Sequence, residues 1–244
     1  MIALIDGDIV AYRVSCSCDE DDDEEFVLCK VEDAIDDIVF KTGVENFRVF
    51  LTGKDNFRKT IYPEYKAQRP KEKPYWLQKV RDHLVEVFKA EVCDGQEADD
   101  MLGIVQSTSP EPTIICTIDK DLLMIPGNHY NFVKDEFATV TDEEGLRHFY
   151  MQCLTGDRSD NIKGIPGVGP KKAERVLAGC HTELDMFKAV RDAYSNDEEF
   201  LMNARVLWIR RISNEDWSVK FNALIQEQAR GTSLEDIERD LPID

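Results

Sequence analysis

TIICTIDKDLL, residues 113–123, is an apolar run of strand-forming residues that stops at two acids, Asp119 and Asp121. The same design opens the chain, where MIALI (1–5) runs into Asp6 and Asp8, and recurs where AEVC (90–93) is followed by Glu97, Asp99 and Asp100 in QEADDMLGIV. FRVFL (47–51) is a fourth such run. Between them, VEDAIDDIVFK (31–41) and WLQKVRDHLVEVFK (76–89) repeat apolar residues at three- and four-residue steps, the period of an amphipathic helix. Strands alternating with helices predict an α/β fold with a mostly parallel central sheet covered on both faces. In such sheets the loops after the strands converge on one crevice, so the acidic clusters are expected to meet there.

HYNFV (129–133) and FATVT (137–141) predict a hairpin at one edge of the sheet. From Asp142 onward strand signals stop, and the pattern predicts helices over 142–153, 170–178, 183–194, about 197–212 and 216–230. No linker interrupts the chain, so the helical part is expected to pack directly on the sheet domain.

Converging carboxylates have a chemical consequence. Each like-charged pair about 4 Å apart costs on the order of 4 kcal/mol at an effective dielectric of 20. Either several are protonated at neutral pH or divalent cations lie among them. Oxygen ligands without a nearby histidine favour Mg²⁺ or Mn²⁺ over zinc. Taken singly, the EADD acids could equally be helix caps and the TIDKD acids a strand-end turn.

Composition sets the outer limits. The 244 residues, 42% hydrophobic and 32% charged, describe a globular chain. No run approaches 18 apolar residues, and MIALIDGD has acids where a secretory signal needs a basic start, so a cytoplasmic protein is expected (host cytoplasm for a viral one), with no membrane partner. The cysteines at 16, 18, 29, 93, 116, 153 and 180 form no zinc pattern and read as reduced thiols. A net charge of −19 argues at first against nucleic acid. Its distribution argues otherwise. Asp19 to Glu25 (DEDDDEE) holds seven acids in one run, read as a solvated loop, whereas Lys54 to Arg81 holds nine basic residues against three acids.

LTGDRSDNIKGIPGVGPKKAERVL (154–177) joins two more acids, Asp157 and Asp160, to a turn with glycines at 164, 167 and 169 and lysines at 171 and 172. The glycines allow backbone N–H groups to form an anion nest, and the lysines add charge. A polymer satisfies both halves: one phosphodiester on the metals, other phosphates on the turn.

These motifs resemble the 5′-nuclease family, which includes flap endonucleases, the 5′-nuclease domain of bacterial DNA polymerase I and bacteriophage 5′–3′ exonucleases. Five landmarks occur in the family's order: LIDGD (4–8), FRKTIYPEYKAQR (57–69), EADD (97–100), TIDKDLL (117–123) and LTGDRSDNIKGIPGVGPKKA (154–173). The resemblance implies a PIN-like nuclease core over 1–153 with a helical arch at about 57–82, a DNA-binding helix–three-turn–helix element over 154–180, and a helical region over 181–244. It implies that Asp6, Glu97, Asp99, Asp100, Asp119, Asp121, Asp157 and Asp160 hold two Mg²⁺ or Mn²⁺ ions, directly or through water. Lys66 and Arg69 would face the scissile phosphate as catalytic groups. Arg58, Tyr65, Lys163, Gly167, Gly169, Lys171 and Lys172 would join them in binding DNA, with Tyr65 stacking on an unpaired base and Tyr62 and Tyr75 packing in the arch. The carbonyls of Pro166 and Val168 would hold a potassium ion. The implied substrate is DNA with a single-stranded 5′ end or flap, or the RNA of an RNA–DNA hybrid, cut by a monomer.

Two positions depart from the family. Thr52 stands where relatives have an aspartate at a strand end, with Asp55 as the stand-in. Asp8 stands where many have a neutral residue, as a supporting acid or a helix cap. Two other readings compete. LIDGDIV also fits a haloacid-dehalogenase-type phosphatase with Asp6 as nucleophile, which leaves EADD and the glycine turn unexplained. A module that clamps branched DNA without cutting would show a gap in the carboxylate set.

Overall fold

The computed structural model describes residues 1–239, so residues 240–244 of the expected C-terminal region lie outside the described chain. Two compact units divide it: Met1–Gly145 with Ile209–Glu215, and Leu146–Trp208 with the chain from Asp216 onward.

In the first unit β1 (Ile2–Asp6), β2 (Asn46–Thr52), β3 (Glu91–Cys93), β4 (Thr113–Cys116), β5 (Gly127–Asn131) and β6 (Glu136–Val140) form one sheet in the order β3-β2-β1-β4-β5-β6. All neighbours pair in parallel except β5 and β6. Each apolar run therefore became a strand, and the hairpin sits at the edge. Central β1 and β4 are buried nearly throughout, as their unbroken apolar sequences require.

Helices α1 (Gly7–Cys16) and α2 (Glu24–Thr42) connect β1 to β2. The acidic run is only partly a loop. Asp23 caps α2 by accepting from Glu25 N at 2.9 Å, and Glu24 and Glu25 form its first turn, where the helix dipole favours negative charge. The chain then reaches α3 (Arg58–Ile61), α4 (Leu77–Glu86) and α5 (Ala98–Thr108). The arch expected to be helical is mostly not: between α3 and α4 the chain runs in turns and bends. PEYKAQRPKEKP explains this, because its three prolines each remove an amide donor and restrict the residue before them.

The second unit carries the rest of α6 (Asp142–Thr155), a hairpin of β7 (Gly156–Asp157) and β8 (Ile162–Lys163), then α7 (Pro170–Val176), α8 (Glu183–Ala193), α9 (Asp197–Leu207) and α10 (Trp217–Arg239). An aromatic cluster of Phe149, Phe187, Phe200, Trp217 and Phe221 forms its core, with ring centroids 5.2 to 6.4 Å apart. Strands of two residues carry no periodicity, so the sequence offered no sign of β7 and β8. At Gly164, which follows β8, an added Cβ would collide with the Thr155 carbonyl carbon and Gly156 N. Gly164→Ala is expected to cost about 1–3 kcal/mol by overpacking, seen as a lowered melting temperature.

Among the described residues no helix is long and apolar enough to cross a membrane. All seven cysteines are free, in line with reduced thiols.

Candidate metal centre

Asp6 ends β1 and is 2% exposed. Its carboxylate accepts from Ile9 N at 3.1 Å, capping α1, and from the Thr117 hydroxyl at 2.7 Å. Burial, then the charge of Asp8, then that of Asp119 push its pKa from 3.8 to about 7 despite those two hydrogen bonds. Asp99, in the first turn of α5, is pushed well above the ordinary range by burial and by the charges of Asp6, Glu97 and Asp119. Asp119 accepts from Asp121 N at 2.9 Å in the loop after β4. Four carboxylates from three strand ends thus repel one another in a poorly solvated place.

A folded-state pKa above the unfolded value means the native chain binds more protons between pH 4 and 7. Protonated Asp6 therefore favours the fold at low pH, and this contribution is lost as pH rises through about 7. In chelator, Asp6→Asn should remove that part of the melting-temperature decline between pH 4 and 8. Each kcal/mol reads as about 2–4 °C in a chain of this size.

Glu97, the N-cap position of α5, has a different environment. Burial would raise its pKa, but Lys66, Arg58 and a 2.8 Å hydrogen bond from Tyr65 Oη outweigh it and hold it low. Lys66 Nζ pairs directly with its carboxylate. The backbone of Lys66 is left-handed, with φ 56°.

Asp100 is fully buried and already saturated. Oδ2 accepts from Arg58 Nη1 at 2.6 Å and from Glu97 N at 3.0 Å; Oδ1 accepts from Arg58 Nη2 at 2.8 Å and from Arg210 N at 3.1 Å. Four donors occupy its lone pairs, so its geometry is that of an anchor for the α5 start, in place of the ligand role expected from EADD. Arg58 is correspondingly 2% exposed and cannot meet DNA as expected. Tyr65 is 3% exposed with its hydroxyl on Glu97, which removes it from base stacking. Tyr75, expected to pack, is 64% exposed although its ring lies edge-on to Trp76 at 5.1 Å. Arg69 is exposed.

At the β2 end Thr52 supports the backbone, its hydroxyl accepting from Ala98 N at 2.9 Å. The carboxylate beside it is Asp8, which accepts from Thr52 N at 2.9 Å and pairs with Arg81 of α4. Arg81 also donates to Thr52 O at 2.6 Å. Asp55 is exposed, and it is not among the charges that chiefly shift Asp6 and Asp99. Thr117 and Arg81 were missed in the sequence because a lone threonine and a lone helical arginine carry no motif. Much of the basic surplus is spent internally, on Arg58–Asp100, Lys66–Glu97, Lys79–Glu24 and Arg81–Asp8. Lys54, Lys59, Lys71 and Lys73 remain exposed.

In the second unit Asp157 shapes the turn after β7, accepting at one oxygen from Ser159 N at 2.6 Å and Ser159 Oγ at 2.8 Å. Asp160 is 8% exposed. Ile165–Val168 closes a turn, with Val168 N donating to Ile165 O at 3.0 Å and Gly167 at φ 74°, where a side chain would be strained. Lys163, Lys171 and Lys172 are exposed, as are Gly167 and Gly169, while Val168 is half-buried.

Residues 1–151 match the family model described as 5′–3′ exonuclease, N-terminal resolvase-like domain. The chain belongs to that family. DNA polymerase I of Pseudomonas aeruginosa (strain PAO1) is 31% identical over 168 residues, which cover 59% of this chain and 18% of that protein. The chain thus spans under a fifth of that polymerase relative. Flap endonuclease Xni of Shewanella putrefaciens is 24% identical over 203 residues, 77% of this chain and 78% of the relative. The T5 5′-exonuclease, solved with bound divalent metal ions (zinc), superposes with a TM-score of 0.67 at 19% identity. It covers 84% of this chain and 88% of its own, a likeness of fold. The matched residues 1–151 include EADD, which the phosphatase reading of Asp6 leaves unexplained.

Proposed function

We propose that this chain is a metal-dependent 5′-nuclease that hydrolyses phosphodiester bonds near the 5′ end of DNA, with Mg²⁺ as its working ion. One observation carries the reading: a repelling, all-oxygen group of Asp6, Glu97, Asp99 and Asp119 at the strand ends of a 5′–3′ exonuclease family domain. The donor set fits hard divalent cations, which relieve such repulsion and bind phosphate.

Asp6, Glu97, Asp99, Asp119 and Asp121 would hold such ions, with Asp157 and Asp160 completing the set. Bound there, a pair of divalent ions supplies an activated water and charge stabilisation for the leaving oxygen. Thr117 orients the Asp6 carboxylate, and Arg58 with Asp100 fixes the start of α5 so that Glu97 and Asp99 keep their places. Lys66, already among these acids, and Arg69 would neutralise the scissile phosphate.

Lys163, Lys171 and Lys172 would bear on the duplex backbone, Gly167 and Gly169 let phosphate approach the turn, and a potassium ion on Pro166 and Val168 belongs to the same surface. The double variant Lys171→Ala, Lys172→Ala should bind duplex more weakly, with the log–log salt slope reduced by about one for each phosphate that is no longer neutralised. An unchanged slope would make this segment an ordinary loop. The expected partner is DNA with a single-stranded 5′ end or flap, with the RNA of a hybrid as a second substrate, and the enzyme acts as a monomer in the cytoplasm. Incubation with 5′-flap, nicked and single-stranded DNA in Mg²⁺, with product lengths mapped, tests the reading. Short products released from the 5′ end support it, and intact DNA in all three defeats it.

A further inference from the structure

Asn203 lies on α9, in the part of the chain that carries no motif, yet it is 1% exposed. Its amide nitrogen donates to Lys163 O at 2.8 Å and to Tyr194 Oη at 3.0 Å. Tyr194 Oη in turn donates to Cys153 O. The direction of every bond follows from chemistry. A backbone carbonyl only accepts, so Asn203 must turn its NH₂ toward Lys163, and Tyr194, having given its proton to Cys153, must accept from Asn203. The Asn203 Oδ1 is left buried without a hydrogen-bond partner. Such an atom is costly to bury, so what Asn203 contributes there is its two N–H groups.

Those two donors grip both flanks of one small object. Cys153 lies in the last turn of α6, immediately before the hairpin, and Lys163 is the last residue of β8, paired with Gly156 of β7. Between them are Asp157 and Asp160. Two-residue strands cannot hold a turn by themselves. The hairpin needs outside support, and the Asn203–Tyr194 pair supplies it. Tyr194 is itself held, its ring stacked on Phe200 at 5.1 Å.

We propose that Asn203 is a positioning residue for the carboxylates of Asp157 and Asp160: its amide, with Tyr194 as second arm, clamps the β7–β8 hairpin at both ends. The proposal rests on the nuclease reading only where those two acids are said to hold metal. The clamp itself is independent of it. It also gives part of the region after residue 180 a task in the reaction, performed without touching substrate.

Two variants of the full chain test it. Asn203→Asp keeps the shape but removes both donors and sets a carboxylate against Lys163 O. Tyr194→Phe keeps the ring stack and removes only the arm to Cys153. Hydrogen exchange in EDTA reads the clamp directly. Amides of 156–163 should exchange about tenfold faster in Asn203→Asp, the shift that one ordinary hydrogen bond produces, with those of α8 unchanged. Tyr194→Phe should move the same amides by less. The second reading is turnover of 5′-flap DNA against Mn²⁺: half-saturation should rise about tenfold in Asn203→Asp, with a smaller loss at saturating Mn²⁺. Unchanged exchange over 156–163, or an equal rise in α8, overturns the clamp. If Asn203→Asp fails to fold, Tyr194→Phe alone decides by the same criterion. If the clamp is seen in exchange but the unaltered protein neither binds Mn²⁺ nor cuts DNA, the nuclease reading fails and the clamp stands.

Discussion

Arg58→Ala is expected to cost the chain about 3–5 kcal/mol and to lower its melting temperature by ten degrees or so. Two buried charges would become one. Asp100 is fully buried and takes two of its four hydrogen bonds from this guanidinium, at 2.6 and 2.8 Å. Removing Arg58 leaves a carboxylate in the core that must stay charged without its partner or take up a proton. Glu97 also loses a cation 3.6 Å away. Burial alone would lower the Arg58 pKa, but Asp100, by charge and hydrogen bonding, drives it well above normal, so the pair stays ionised. Asp100→Ala tests the same pair from the other side and orphans Glu97 N and Arg210 N as well. In the double variant the two penalties should be less than additive, because the unpaired charge disappears from both. Fully additive losses, measured by denaturant unfolding, would mean the pair does not act as a unit. A destabilisation of less than about 1 kcal/mol in Arg58→Ala would mean that solvent reaches Asp100.

Arg58 also shows where sequence reading succeeds and stops. The β-strands were legible because burial on both faces of a parallel sheet demands unbroken apolar runs, and TIICTI and MIALI could hardly be anything else. The acids after them were legible as a group because parallel strands end at one edge. What a given acid touches was not. The resemblance groups Glu97, Asp99 and Asp100 together as metal-holding acids, yet α5 turns Asp100 inward onto Arg58 and leaves Asp99 among Asp6, Glu97 and Asp119. Helical rotation of about 100° per residue decides that, and only packing partners distant in sequence reveal which side is inward. The basic segment misled for the same reason. Charge counted along the chain does not tell which cations are spent inside, as Arg58 and Arg81 are, and which stay outside, as Lys71 and Lys73 do. The β7–β8 hairpin was invisible because it owes its existence to distant partners, such as Asn203 for Lys163, and not to local pattern.

Asp99→Asn should separate stability from activity most sharply. Asp99 is held well above the ordinary carboxylate range by burial and by three neighbouring acids, so its charge is a burden on the metal-free fold. Replacing it with a neutral, nearly isosteric amide removes that repulsion. In chelator the variant should melt higher than the parent at pH 8, and the gain should shrink toward pH 4, where the parent's own acids are protonated. Turnover should fall by about 10³-fold or more, because an amide is a poorer ligand for a hard divalent cation and the transition-state charge loses its stabilisation. Divalent metal should also raise the melting temperature of the parent more than that of the variant, by the difference in their affinities. Asp157→Asn makes a useful companion, since the amide oxygen can still accept from Ser159 N and keep the turn. Its turnover should fall comparably with little change in stability. The opposing signs matter more than either size: a site built for cations is destabilising until they arrive, so its acids should cost stability where they confer activity. An Asp99→Asn protein that melts lower in chelator, or cuts 5′-flap DNA at the parent's rate in Mg²⁺, would remove Asp99 from the metal centre.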